Sequence, residues 1–416
     1  MKKKRIVITG VGVVSPIGIG KDAFWQSLKE GKSGIKPITL FDASKYKVQV
    51  GGEITDFDPQ SILGKRGLLD LDRSTKLLLS STKLALDDAV LEINEENSAQ
   101  AGVAVGTTLG SLNSISRFDR ESIIDGPRYA NPSLFPNTVV NSPASRVGIK
   151  FKITGFNSTI STGMCSALDA LDYVCDFIDL NRIQTGIVGA VEDFSIQAFL
   201  GCYKLQYLSG IKGENEPLSC PFDKRRDGIV LSEGAVTLIV EDLIQASKRK
   251  AHVYAEILGI ASCFEPGRYY KYNQKGQGMV KAMEMALKNA DLKPGDIDCI
   301  FANANSTKDA DKIEAKAIKQ VFGVQTKRIP VTSVKSNLGE SFSVSGGFSL
   351  VAALGSLEKK FIPSLINYVE PDVDCDLNFA LSKNGLSSQF SKVMINTFSP
   401  NGANSVVIIG KPQDGN

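Results

Sequence analysis

Short apolar, β-branched runs alternate with stretches of helical period along this chain, in two successive rounds. That alternation predicts βαβ units and a parallel or mixed sheet covered on both faces. The first round opens at Arg5–Thr9, with glycine-rich turns at Gly10-Val11-Gly12 and Ser15-Pro16-Ile17-Gly18 leading to a helix around residues 23–29. It continues through helical spacing over 74–89, a buried strand at 102–105, a strand from Thr159, a helix beginning near Met164 and an apolar strand over 185–189. A second round starts near Val253 and brings a helix at 278–290, a strand at 299–302 and a helix near 311–322. A glycine-rich stretch at 335–347 follows, then closing strands near 392–397 and 405–409. The expected organisation is two similar α/β halves, 1–250 and 251–416, joined without a low-complexity linker.

At 416 residues and 42% hydrophobic content, the chain is long enough to bury a large core. Its 48 Lys+Arg against 45 Asp+Glu leave +3, too small and scattered a charge for a nucleic-acid surface. The Lys2-Lys3-Lys4-Arg5 cluster runs into Ile6-Val7-Ile8 and reads as a solvated lead-in to a strand. No export signal or run of about 18 apolar residues is present, so no membrane span is expected and a cytoplasmic location is the economical assignment. Seven cysteines without a CxxC pair argue against structural zinc and a disulfide framework. The first glycine turn fails the GxGxxG pattern, because Ser15 stands at the third glycine. Neither a cofactor nor a metal is expected.

Several segments, in order, resemble the β-ketoacyl synthases, the thiolase-fold condensing enzymes of fatty-acid and polyketide synthesis. They are the opening run from Arg5 to Gly18, Pro221-Phe222-Asp223 with Arg226-Asp227-Gly228, Ser232-Glu233-Gly234-Ala235, Asp311-Lys312-Ile313-Glu314-Ala315 and Val334-Lys335-Ser336. The resemblance implies an α/β thiolase-like fold whose two halves make a five-layered αβαβα architecture. In such enzymes a strand ends at a sharp turn that sets a cysteine at the amino end of a buried helix, and two histidines from later loops stabilise the enolate and oxyanion.

Laid on that pattern, Ser161-Thr162-Gly163-Met164-Cys165 puts Met164 at the nucleophile position. Met164, Leu168, Leu171, Cys175 and Ile178 trace one apolar helical stripe, whereas Cys165 shares the stripe of Asp169, Asp172 and Asp176. Cys165 therefore reads as a small semi-buried thiol, with a displaced nucleophile as the alternative. The loop Ala302-Asn303-Ala304-Asn305 carries Asn305 at the first histidine position. Counting five residues from Lys335 puts Glu340 at the second. The only histidine, His252, lies in the Lys-rich link between the halves, where a surface position remote from the site is expected.

By resemblance, Lys335, Asp311 and Glu314 match the charged cluster that supports the family's site, and their opposite signs suggest an ion-pair network. Phe398 falls in the altered gate Phe398-Ser399-Pro400-Asn401-Gly402-Ala403-Asn404, and Phe135 and Thr138 are expected to approach a partner's site. Such a scaffold without its nucleophile resembles the chain-length factors of type II polyketide and polyene systems. The partners implied are an active ketosynthase subunit in a heterodimer, an acyl carrier protein and an acyl or polyketide chain. Condensing activity by this chain alone is not expected. The competing readings are an acyltransferase or thioesterase-like enzyme using Cys165, and a homodimeric acyl-binding protein.

Overall fold

The computed structural model describes residues 4–213, 216–267, 271–381 and 391–412. Ten strands carry the architecture: β1 (Ile6–Ser15), β2 (Ala101–Gly106), β3 (Asn157–Ile160), β4 (Thr185–Glu192), β5 (Gly234–Asp242), β6 (Ala255–Phe264), β7 (Cys299–Phe301), β8 (Val331–Thr332), β9 (Lys392–Phe398) and β10 (Ala403–Gly410). Their spatial order is β8-β7-β9-β10-β6-β1-β5-β4-β2-β3. In the first half β2 lies parallel between β3 and β4, and β5 and β1 follow antiparallel. The second half repeats this pattern, with β7 parallel between β8 and β9, then β10 and β6 antiparallel. Each half draws its five strands from one continuous part of the chain, and the two halves share the same spatial order, third-second-fourth-fifth-first. They meet through two residue pairs, Val7 with Glu256 and Ile8 with Ala255.

Six helices complete five layers. Helices α1 (Arg73–Asp88) and α2 (Ser142–Phe151) cover the first half from outside, and α4 (Gln277–Asn289) and α5 (Lys308–Phe322) cover the second. Between the halves lie α3 (Ser166–Asp179) and α6 (Ser345–Lys359), whose Leu168, Leu171, Val174, Leu350, Val351 and Leu354 join the core with Val236, Leu238 and Val407. The central strands β1, β2, β4, β5, β9 and β10 are buried on both faces because helices cover both, so their sequences run as largely apolar blocks instead of alternating.

Two sequence expectations change here. The glycines at 10 and 12 do not turn the chain: β1 continues to Ser15, every residue buried. A Cβ on Gly12 would lie 1.8 Å from the Ser81 carbonyl oxygen and 2.7 Å from the Ala85 nitrogen. Glycine serves there to let α1 press directly onto the strand. The stretch over 335–347 is largely helical, ending in α6, which is buried from Ser345 through Leu357. A helix apolar on all sides shows no amphipathic period, so the periodicity test passes over it. The all-buried strand β5 escaped notice for the same kind of reason.

His252 is exposed as expected. Its Nε2 stands 3.6 Å from a Glu358 carboxylate oxygen, and its ring lies edge-on to Tyr254 at 4.5 Å. No helix among the described residues is long and apolar enough to cross a membrane, and no group of three or more His, Cys, Asp or Glu side chains among them is placed to hold a metal ion.

Candidate active site

Strand β3 delivers the chain to a tight turn at Thr162-Gly163, followed by a single 3-10 turn over Gly163–Cys165 and then α3. Gly163 has φ +68°, and a Cβ there would come within 2.5 Å of Ser399 Oγ. Glycine is what allows the 399–402 turn to sit on this elbow. The elbow is pinned by hydrogen bonds from Ser166 Oγ (2.6 Å) and Thr108 Oγ1 (3.1 Å) to the Gly163 carbonyl, and from Thr162 Oγ1 to Asp169 (2.5 Å).

Met164 is buried at this elbow. Its sulfur lies 3.8 Å from the hydroxyl of Tyr272, which donates to the Phe398 carbonyl at 3.1 Å. Cys165 is fully buried rather than semi-buried, its Sγ 3.3 Å from the Thr397 carbonyl oxygen. Burial pushes its thiol far above the ordinary cysteine value, and the Asp169 charge adds to that. The helical wheel placed Cys165 beside Asp169 correctly. It missed that β9 and β10 seal that face.

Asn305 and Glu340, the residues that the resemblance puts at the two histidine positions, face each other. Asn305 is held through its backbone N–H to Asp311 (2.8 Å), and its side-chain amide donates to Glu340 Oε2 at 3.2 Å. Glu340 is buried and takes four donors: Asn305 and Lys335 Nζ (2.8 Å) on one oxygen, the Phe342 N–H (2.9 Å) and Ser345 Oγ (2.7 Å) on the other. Lys335 also donates to Asn303 Oδ1 at 3.1 Å. The expected ion-pair network is therefore rearranged. The buried partner of Lys335 is Glu340, and the Lys335 ammonium hydrogen-bonds to Glu340 and Asn303 and not to Asp311 or Glu314. Asp311 instead receives the Phe222 and Asn305 N–H groups and stands 3.8 Å from Arg226, while Glu314 caps the Asn303 and Ala304 N–H groups. Burial, partly offset by Arg226 and those amides, pushes the Asp311 carboxyl up to about 6. It pushes Glu314 up to about 7.

Phe398 is fully buried at the end of β9, directly above the elbow. Phe135 and Thr138 are elsewhere, on and just after an exposed turn over Pro132–Asn137, with Phe135 59% exposed and tilted against Phe118. Tyr207, Tyr272 and Glu192 were not singled out from sequence. Tyr207 carries a buried hydroxyl that lies beside the Asn305 side chain. Glu192 receives the Thr108 and Leu109 N–H groups and the Ser343 hydroxyl, tying the β2 loop to the start of α6. Only the aromatic density of 269–272 hinted at Tyr272. The assembled site contains a thioether, two carboxamides and a charge-balanced carboxylate–ammonium pair. It has no imidazole, because the chain's one histidine lies outside it.

Residues 3–246 match the family model "Beta-ketoacyl synthase, N-terminal domain" and residues 254–369 match "Beta-ketoacyl synthase, C-terminal domain". The chain is 34% identical, over 100% of both chains, to a 3-oxoacyl-[acyl-carrier-protein] synthase 2 of Coxiella burnetii. Among solved structures, it superposes on the ishigamide ketosynthase/chain length factor with a TM-score of 0.92 at 28% identity, covering 99% of this chain and 100% of that one. A type II polyketide synthase acyl-carrier protein in complex with its ketosynthase bound to the hexaketide gives a TM-score of 0.90 at 28% identity, covering 99% and 100%.

Proposed function

The chain belongs to the β-ketoacyl synthase family, with its thiolase fold, and from that premise we propose that it is a chain-length-factor-like subunit. In this reading it does not condense by itself. It pairs with an active ketosynthase and shapes the tunnel for an acyl chain delivered by an acyl carrier protein. The observation that carries the reading is the Asn305–Glu340–Lys335 network: the two histidine positions are bonded to each other and to the supporting lysine.

A Claisen condensation in this family needs a thiolate to hold the growing chain and imidazoles to stabilise the enolate and oxyanion. Met164 offers a thioether, which has no proton to lose. Asn305 donates but cannot take up a proton, and Glu340 only accepts when ionised. By analogy with the loss of a whole catalytic triad, such replacement costs on the order of a millionfold in rate. Cys165 does not rescue the chemistry, since its thiol is sealed under β9 and β10 and burial opposes the thiolate. That weighs against the reading in which Cys165 is the nucleophile.

Pairing is supported by β3, a four-residue strand that ends the sheet and leaves one hydrogen-bonding edge open. Beside it sit the half-buried rings of Phe156, Tyr173 and Phe177. Phe135 and Thr138 take the role of reaching into the partner's tunnel, and the boundary between the halves falls near residue 250. The test is co-expression with a ketosynthase that carries an intact Cys-His-His set. The expected result is a mixed dimer on size exclusion and condensation only in its presence. Robust condensation by the isolated chain overturns the reading, and a persistent homodimer that binds acyl chains favours an acyl-binding protein instead.

A further inference from the structure

The side chain that lies against Met164 comes from neither of the loops that carry the replaced histidines. Tyr272 belongs to the segment before α4 and is half-buried overall, but its hydroxyl reaches both the Met164 sulfur and the Phe398 carbonyl, linking the elbow to the end of β9. Its ring packs against the core that contains Phe222, Met279 and Phe398. Burial holds the phenol protonated well above the ordinary tyrosine value, and Tyr207, Glu340 and Cys165 push the same way. The hydroxyl therefore lies within the electrostatic reach of the residue at the second histidine position.

Tyr272 itself lines a crevice together with Glu265, Lys271, Asn273, Ser399, Asn401 and Asn404. This crevice contains about 20 Å³, room for about one water. Small-molecule sites typically need roughly 300–1,000 Å³. The crevice is too small for a ligand, and Tyr272 is the lining side chain whose hydroxyl lies against Met164.

We propose that Tyr272 is a stopper: its phenol occupies the space beside position 164 where the reacting end of an acyl thioester would lie, so this chain's own pocket is shut by a side chain as well as lacking a nucleophile. The proposal rests on the family reading only in taking position 164 as the place where an acyl chain would be attached. It assigns Tyr272 a specificity role, excluding acyl groups from this subunit's own site so that they engage only the partner's.

Met164→Cys places a thiol at the elbow as a reporter, with iodoacetamide as the probe and modification at residue 164 followed by peptide mass. With Tyr272 present, labelling of Met164→Cys is expected to be slow. Adding Tyr272→Ala should accelerate it at least tenfold, whereas Tyr272→Phe, which keeps the ring, should stay within about threefold of the single variant. Cys165 and Cys299 are fully buried and serve as fold controls, since neither should label in any folded variant. If Tyr272→Ala exposes them, Tyr272→Val replaces it with a smaller cavity and the same expectation. Equal labelling of residue 164 with and without Tyr272 in folded protein overturns the proposal. The outcome is separable from the subunit reading: a chain that pairs with a ketosynthase yet labels freely at 164 refutes the stopper alone. A chain that never pairs while Tyr272 controls labelling refutes the subunit reading alone.

Discussion

Replacing Glu340 with Gln should be among the most damaging single conservative changes in this molecule. The Lys335–Glu340 pair is 2.8 Å apart, with side chains only 3% and 1% exposed. The carboxylate saturates four donors, two on each oxygen. Glutamine keeps the shape but removes the charge, and its NH2 group must face either Lys335 and Asn305 or the Phe342 N–H and Ser345 hydroxyl. Breaking a buried ion pair by removing one partner costs about 3–5 kcal/mol, because the remaining charge stays desolvated. With a urea slope of about 3 kcal/mol/M, the unfolding midpoint should fall by about 1–1.7 M. Lys335→Met should cost a similar amount, leaving Glu340 without its counter-charge and Asn303 Oδ1 without its donor. The double variant should be less damaged than the sum of the singles, with a coupling of about 2 kcal/mol or more. Urea titrations of the four proteins at one fixed concentration read both quantities. A Glu340→Gln midpoint within 0.3 M of wild type (about 1 kcal/mol at that slope), or strictly additive singles, would refute the claim that the candidate site is held by this pair.

Three further outcomes follow from other parts of the fold. Asp193 is buried, and that burial, reinforced by Asp72, Glu192 and Glu233, pushes its carboxyl up to about 8. The folded chain thus holds a proton that the unfolded chain releases near pH 4, and this group's stabilisation is lost as pH rises toward 8. Asp193→Asn should therefore gain on wild type between pH 5 and pH 8, by at least about 1 kcal/mol at the upper end; a pH-independent difference in urea midpoints contradicts it. In Gly106→Ala, the new Cβ would lie 2.6 Å from the Ser166 carbonyl carbon and 2.7 Å from its oxygen, prising β2 off the start of α3. The expected loss is about 1–3 kcal/mol, and an unchanged melting temperature speaks against the close contact. Native protein exposed to iodoacetamide should leave Cys165 unmodified, with full labelling only after unfolding, as read by peptide mass. Labelling at the rate of a free thiol would mean that β9 and β10 do not cover it.

Much of the site was legible because it is a matter of identity at a place in the chain. The turn before α3, the loop after β7 and the five-residue step from Lys335 are local features, and they located Met164, Asn305 and Glu340 without knowledge of any contact. The alternation of apolar runs and helical periods likewise showed two rounds of one α/β pattern. Where sequence reading failed, the cause was again local. Gly10 and Gly12 carry the signature of a turn, but their use is to admit α1. The helix α6 lacks a polar face and so lacks a period.

The sequence alone determined that no pair of imidazoles can stand beside Met164, since the chain has one histidine, at position 252. How Asn305, Glu340 and Lys335 are paired was decided only by tertiary packing. Lys335 had three carboxylates within reach of a charge argument, and only the folded geometry shows that Glu340 takes it while Arg226 stands by Asp311 and backbone amides cap Glu314. Tyr272 lies 108 residues from Met164 and 126 from Phe398, and no period or motif links them. They meet because the two halves close around α3 and α6, burying the ends of strands from both halves against one elbow.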